Sequence, residues 1–262
     1  MTFAPVNGLE MYYETHGVGG TPLVLLHGAM SAAETSFGAL LPGLAKTRRV
    51  IVVERQGHGR TADVDRPFTV GQMADDMVAL LDHLGLDQVD LFGYSMGAMI
   101  ALDVAIRRPE RIRRLVLASV SYQLSGVHPG VLDGIDAITP EMMSGTPFEA
   151  EYLRLSPHPQ RFPTFVAKTL ELDRNLPEFD PEAIRQLNAP TLLVYGDSDI
   201  VTPEHAVEMF RLLGGGVMGD AGGLPQSQLA VLPGTSHIGV ATRADLLLAI
   251  IPRFLDGPGT PD

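Results

Sequence analysis

The chain has 262 residues, 45% of them hydrophobic and 19% charged, which describes an ordinary globular protein and excludes disordered and fibrous classes. Thirty-one acidic against 19 basic side chains leave a formal charge of −12, which repels phosphate backbones and anionic membrane surfaces and argues against nucleic acid as a partner. Cysteine is absent, so disulfides, thiolate metal sites and cysteine nucleophiles are excluded.

The first eight residues have neither a basic start nor a continuous apolar core, so no secretory signal is expected and the cytoplasm is the default. Short apolar runs bounded by turn residues follow at Leu23–Leu26, Val50–Val53, Val89–Phe92, Leu115–Ala118, Thr191–Tyr195 and Leu229–Leu232. They read as buried parallel strands. Between two of them Met73, Met77, Leu80, Leu81 and Leu84 recur at helical spacing, an amphipathic helix. The alternation predicts an α/β fold, a mostly parallel central sheet with helices on both faces.

Arg107, Arg108, Arg111, Arg113 and Arg114 form the one basic cluster, read as a solvated helix end before Pro109. From Ser121 to about Leu187 the strand–helix rhythm gives way to a proline-rich stretch, read as an inserted, mainly helical cap. The expected division is a core of residues 1–120 and 188–262 with a cap at 121–187. Leu124, Met142, Met143, Phe148, Tyr152, Leu153, Phe162 and Phe165 are the cap's candidates for lining an apolar pocket, although packing onto the sheet is the commoner use of such residues. The glycine-rich stretch 214–223 lacks the lysine and hydroxyl residue of a phosphate loop and reads as a surface loop. The longest apolar run, Leu246 to Ile251, is far too short to cross a bilayer, so no membrane partner is expected.

The strongest chemical signal is Gly93-Tyr94-Ser95-Met96-Gly97-Ala98, between the strand Val89–Phe92 and the apolar segment Met99–Ile106. A serine on so sharp a strand-to-helix turn exposes its hydroxyl and places the Met96 amide beside a developing oxyanion, and small residues at 93, 97 and 98 let neighbouring backbone approach. A serine hydroxyl needs a base, usually an imidazole held by a carboxylate. The pair Asp197 and Asp199 follows the strand Thr191–Tyr195, and His237 follows Leu229–Leu232. Both stand just past strand carboxyl ends, where the groups of α/β sites collect. His27-Gly28-Ala29-Met30 follows the first strand, and its Ala29 amide is the candidate second oxyanion donor. The other histidines, His16, His58, His83, His128, His158 and His205, show no metal-ligand spacing; surface or capping roles and no metal are expected.

These landmarks resemble the α/β-hydrolase superfamily over almost the whole chain: His-Gly at 27–28, Gly57-His58-Gly59, Gly-Tyr-Ser-Met-Gly at 93–97, Gly-Asp-Ser-Asp…Pro at 196–203 and Ser-His at 236–237. The stretch Val6–Glu14 is similar to that family's opening hairpin. The resemblance implies an α/β-hydrolase fold, a Ser95–His237–Asp199 triad with Asp197 in reserve as its acid, and no cofactor. One departure stands out: Glu54-Arg55-Gln56-Gly57-His58-Gly59 occurs where members often carry Asp-x-Arg-Gly-x-Gly, which puts a structural ion pair in doubt. Dehalogenases and epoxide hydrolases of this type place aspartate where this chain has Ser95, so acyl transfer is favoured. Hydrolysis of a small-molecule carboxylic ester or lactone ranks first. Carbon–carbon hydrolysis and a cofactor-free perhydrolase or haloperoxidase reaction come next, and a triad-retaining small-molecule sensor is the alternative of another class.

Overall fold

A computed structural model describes residues 2–257. Eight strands form one sheet: β1 Thr2–Val6, β2 Leu9–His16, β3 Leu23–Leu26, β4 Val50–Val53, β5 Val89–Tyr94, β6 Ile112–Ala118, β7 Thr191–Ser198 and β8 Gln228–Ser236, in the order β1-β2-β4-β3-β5-β6-β7-β8. The first two form an antiparallel hairpin, and β2 meets β4 antiparallel. Every other pairing is parallel. The longer helices are α1 Val70–His83, α2 Met96–Arg107, α3 Val131–Ala137, α4 Pro147–Leu155, α5 Phe162–Arg174, α6 Pro203–Leu212 and α7 Ala244–Leu255.

Strands β3 and β4 are buried throughout, which is why they read as unbroken apolar runs. Alternate residues serve opposite faces. Val24, Leu26, Ile51 and Val53 pack with α1 and α2, through Met73, Met77, Ile100 and Val104, into one core. Leu23, Leu25, Val50 and Val52 pack with Leu247, Ile251 and Phe254 of α7 into the other. α1 is closed by its N-cap Thr69, whose hydroxyl accepts the Gln72 amide.

Arg113 and Arg114 correct the expectation of a solvated helix end. Only Arg107 sits in the last turn of α2, paired with Asp103 and with Asp75 on α1. Arg113 and Arg114 lie in β6, where Arg113 donates to the fully buried Asp90 of β5 at 2.5 Å and Arg114 lies over the Phe254 ring. Burial pushes the Asp90 carboxyl up, and the Arg113 bond and charge oppose it. The departure at 54–59 also has its answer. Glu54, buried, takes Arg60 at 2.8 Å in place of an arginine two residues on, and Gln56 donates to Asp63.

Between β6 and β7 the described chain forms no strand: α3, α4 and α5 are joined by short helical turns and loops. Tyr152, Phe162 and Phe165 pack on one another there, whereas Met142 and Leu153 face solvent. The stretch 214–223 lies on the surface, with one helical turn at Gly219–Gly222. Among the described residues no helix is long and apolar enough to cross a membrane.

Candidate active site

Ser95 joins β5 to α2 with φ 53° and ψ −119°, a conformation that L-residues rarely adopt. The turn is tight enough to exclude side chains around it. A Cβ on Gly97 would stand 2.0 Å from the Leu26 carbonyl oxygen, and one on Gly93 2.2 Å from that of Gly97. Those contacts are why glycine stands two residues to either side of the serine.

β5, β7 and β8 all end on the same side of the parallel sheet, and their ends bring Ser95, Asp199 and His237 together. Ser95 Oγ lies 2.9 Å from His237 Nε2, and His237 Nδ1 lies 2.7 Å from Asp199 Oδ1. An ionised carboxylate can only accept, so Nδ1 carries the proton and Nε2 is left to take the serine's. Asp199 is buried, and its Oδ2 accepts from Ser119 Oγ at 2.6 Å and from the Gly196 amide at 3.3 Å; the Val201 amide reaches Oδ1 at 3.4 Å. Burial pushes its carboxyl up, but the His237 hydrogen bond and charge, with the Ser119 and Gly196 donors, hold it below the usual carboxylate range. The carboxylate therefore stays ionised and faces the imidazole.

Asp197 does not reach the histidine. It is exposed and accepts the Gly234 and Thr235 amides at 2.8 and 3.0 Å, holding the end of β8 just before His237. Tyr94 holds the backbone of His237 itself, its hydroxyl donating to the His237 carbonyl at 2.9 Å.

Met96 and Ala29 stand beside the serine, both lining the cavity into which it opens, and among the described residues neither amide meets a protein acceptor. Two amides free to donate next to Ser95 suit an oxygen that gains negative charge. The cavity, about 360 Å³, is walled by Met99, Tyr94 and Ile238 from the sheet side and by Leu124, Val127, Ile135, Phe148 and Leu176 from the segment between β6 and β7. No lysine or arginine is among its lining residues; Glu151 and Asp173 are.

Ser119 and Tyr94 are the site residues that sequence reasoning missed. Ser119 follows the carboxyl end of β6, with φ 56°, and that position is the one signal that could have found it. Two of the scattered histidines correct the expected surface roles. His58 is buried against Phe68 and Phe165, and burial together with the Arg55 charge pushes its imidazole down to about 3. His205 is buried and stacks on Tyr122, its Nε2 accepting the Tyr122 amide at 3.2 Å. Among the described residues no group of three His, Asp or Glu side chains could hold a metal ion.

A family model described as "alpha/beta hydrolase fold" matches residues 21–185. The chain belongs to that family. It is 26% identical to the uncharacterized hydrolase YugF of Bacillus subtilis, over 95% of this chain and 96% of that protein. It is 38% identical to a 2-hydroxymuconate semialdehyde hydrolase of Pseudomonas sp. strain CF600, over 45% of this chain and 42% of that one. A solved structure of a thermophilic esterase from Thermogutta terrifontis superposes with a TM-score of 0.74 at 25% identity, covering 99% of this chain and 98% of the esterase. The chain is thus a hydrolase of the alpha/beta hydrolase fold.

Proposed function

We propose that this hydrolase cleaves a carboxylic ester, open-chain or lactone, through an acyl-enzyme on Ser95. The observation that carries the reading is the hydrogen-bonded row Ser95–His237–Asp199, set on a strained turn that opens into an apolar cavity. In the forward step His237 Nε2 takes the hydroxyl proton as Ser95 Oγ bonds to the carbonyl carbon. Asp199 stabilises the imidazolium, and the Met96 and Ala29 amides receive the oxyanion. His237 then gives the proton to the leaving alkoxide. In the second half it deprotonates a water that releases the acid and restores the serine. The triad asks for no cofactor.

The likeness to a 2-hydroxymuconate semialdehyde hydrolase makes carbon–carbon cleavage the competing reaction. The cavity lining favours the ester. Without a lysine or arginine, and with Glu151 and Asp173 present, it offers an anionic oxo-acid no counter-charge and suits a neutral acyl group. The segment 121–187 acts as a cap, supplying 11 of the 28 residues of the cavity wall and thereby the acyl selectivity.

The test is steady-state hydrolysis of nitrophenyl esters of increasing acyl length, with a small lactone panel, by the wild type, Ser95→Ala and His237→Ala. Turnover is expected in the wild type and a loss of several orders of magnitude in both variants, with folding retained. Comparable rates in Ser95→Ala refute the acyl-enzyme. A folded wild type that binds small acyl compounds tightly without turning them over would instead be a sensor.

A further inference from the structure

Arg55 is a buried guanidinium that the proposed mechanism does not use. It is 2% exposed and makes no ion pair with a carboxylate among the described residues; the neighbouring Glu54 is taken by Arg60. Burial pulls its pKa down to about 9, which leaves it charged at neutral pH. An uncompensated buried charge costs several kcal/mol, so the place where its hydrogen bonds go is informative.

Nη1 faces only Met73 Sδ at 4.0 Å and Nε meets no acceptor among the described residues, so the short bond is the one made by Nη2. Arg55 Nη2 donates to the Gly28 oxygen at 2.8 Å, and His27 Nδ1 lies 2.8 Å from the same atom. Nδ1 also lies 3.1 Å from Arg55 Nη2, but its contact with the carbonyl, which only accepts, is the shorter and the Arg55 amide points at Nε2, so His27 carries its proton on Nδ1. Its Nε2 then faces the Arg55 amide at 3.5 Å, and burial with the Arg55 charge keeps the ring neutral. Both lone pairs of the Gly28 oxygen are occupied by fully buried donors.

That oxygen belongs to the peptide unit whose N–H is the Ala29 amide. The unit is planar, so fixing the direction of its C=O fixes the opposite direction of its N–H. A cation on the oxygen also draws electron density along the peptide and makes the N–H a stronger donor. The unit lies next to the nucleophile: a Cβ at Gly28 would sit 3.6 Å from that of Ser95.

We infer that Arg55 is a positioning residue for oxyanion stabilisation, acting through the Gly28–Ala29 peptide, with His27 as the second clamp on the same carbonyl. This rests on the serine-hydrolase reading. The Ala29 N–H is aimed and polarised before substrate arrives, and Arg55 touches no substrate atom. Its contribution appears only when the carbonyl oxygen becomes an oxyanion, so it stabilises the transition state and leaves ground-state binding alone.

The experiment compares wild type, Arg55→Lys and Arg55→Met on one nitrophenyl ester, with active sites counted by a fluorophosphonate probe and with inhibition by an alkyl boronic acid, whose serine adduct is a tetrahedral anion. A full oxyanion donor commonly matters by about 100- to 1,000-fold in kcat; a donor left in place but misaimed is expected to cost on the order of 10- to 100-fold. Arg55→Met should show that fall per counted site, with KM changed less than about twofold and boronate affinity falling in step with kcat/KM. Arg55→Lys keeps a cation able to reach one carbonyl and should fall between the two, and it serves as the test if Arg55→Met does not fold. Wild-type kcat per counted site in the folded variant, or a boronate affinity that stays put, overturns the inference. A purely structural arginine would lower the number of titrated sites and leave kcat per site unchanged. If the wild type is neither labelled by the fluorophosphonate nor active, the serine-hydrolase reading fails instead.

Discussion

Ser119→Ala removes the shortest of the donors on the Asp199 carboxylate that do not come from histidine. Oδ2 then keeps only the Gly196 amide at 3.3 Å, while Oδ1 keeps His237 at 2.7 Å and the Val201 amide at 3.4 Å. A hydrogen bond to a charged, buried acceptor is worth about 1.5–3 kcal/mol, and the methyl left behind offers no replacement. The lost bond stabilised the ionised carboxylate, so the Asp199 pKa moves up. Asp199 is a carboxylate whose folded pKa is depressed; its contribution to stability is present above the unfolded value, 3.8, and disappears as pH falls through the folded one. The stability loss in Ser119→Ala is therefore expected to be about 1.5–3 kcal/mol at pH 7 and much smaller once both states are protonated. With His237 still bonded but its carboxylate freer to rotate, kcat should drop roughly 10- to 100-fold at unchanged KM. Urea unfolding at pH 7 and at the lowest pH where both proteins remain folded, together with ester kinetics, reads both effects. Equal losses at the two pH values, or wild-type kcat, would refute the claim that Ser119 acts by holding the charged form of Asp199.

Asp199→Asn is expected to lose roughly 10⁴-fold in kcat, since an amide cannot hold the imidazole in the required tautomer. Asp197→Asn, which disturbs the Gly234 and Thr235 amides and the Ser198 hydroxyl, should stay within about tenfold; ester kinetics giving the reverse order would move the acid to Asp197. Gly97→Ala drives a Cβ to 2.0 Å from backbone oxygen that cannot swing away, so a loss of about 3 kcal/mol is expected in chemical denaturation, with activity lost besides. Asp173 lines the cavity, and burial pushes its carboxyl from 3.8 to about 6. Because its folded pKa is raised, the native state holds the proton more tightly, and stability falls as pH rises from about 4 to 6. Asp173→Asn should therefore stabilise the protein by up to about 3 kcal/mol at pH 7.5 and by little at pH 4; denaturation curves with the same difference at both would show that the carboxyl is not strained by burial.

Strand positions are legible in this sequence because β3 and β4 are covered on both faces and contain no polar residue to blur their ends. β8 is not bounded so cleanly. Its apolar run, Leu229–Leu232, stops at Pro233-Gly234, yet the strand continues to Ser236. It is an edge strand with β7 as its one neighbour, so a proline without an N–H is tolerated, and the ladder absorbs the irregularity by a register shift between Gly196 and Ser198. The serine turn is legible because its requirement for small residues is local. Ser119, Tyr94 and Arg55 are hidden because each acts across the sheet on a group far along the chain. The pairing of Arg113 with Asp90 depends on two strands lying side by side, which the run of arginines does not reveal. Of the eight candidates for the pocket wall only Leu124 and Phe148 line the cavity, since helices packed without a sheet follow no alternation that tells inside from outside.

Ser95 and His237, the proposed nucleophile and base, lie 142 residues apart, and His237 directly follows the last strand of the sheet. A chain that has collapsed around β3–β6 would already own its serine turn and the helices α1 and α2, yet be inert. In a refolding experiment recovered catalysis therefore acts as a clock for the docking of β8, and it should trail the recovery of circular dichroism whenever that docking is the slow event.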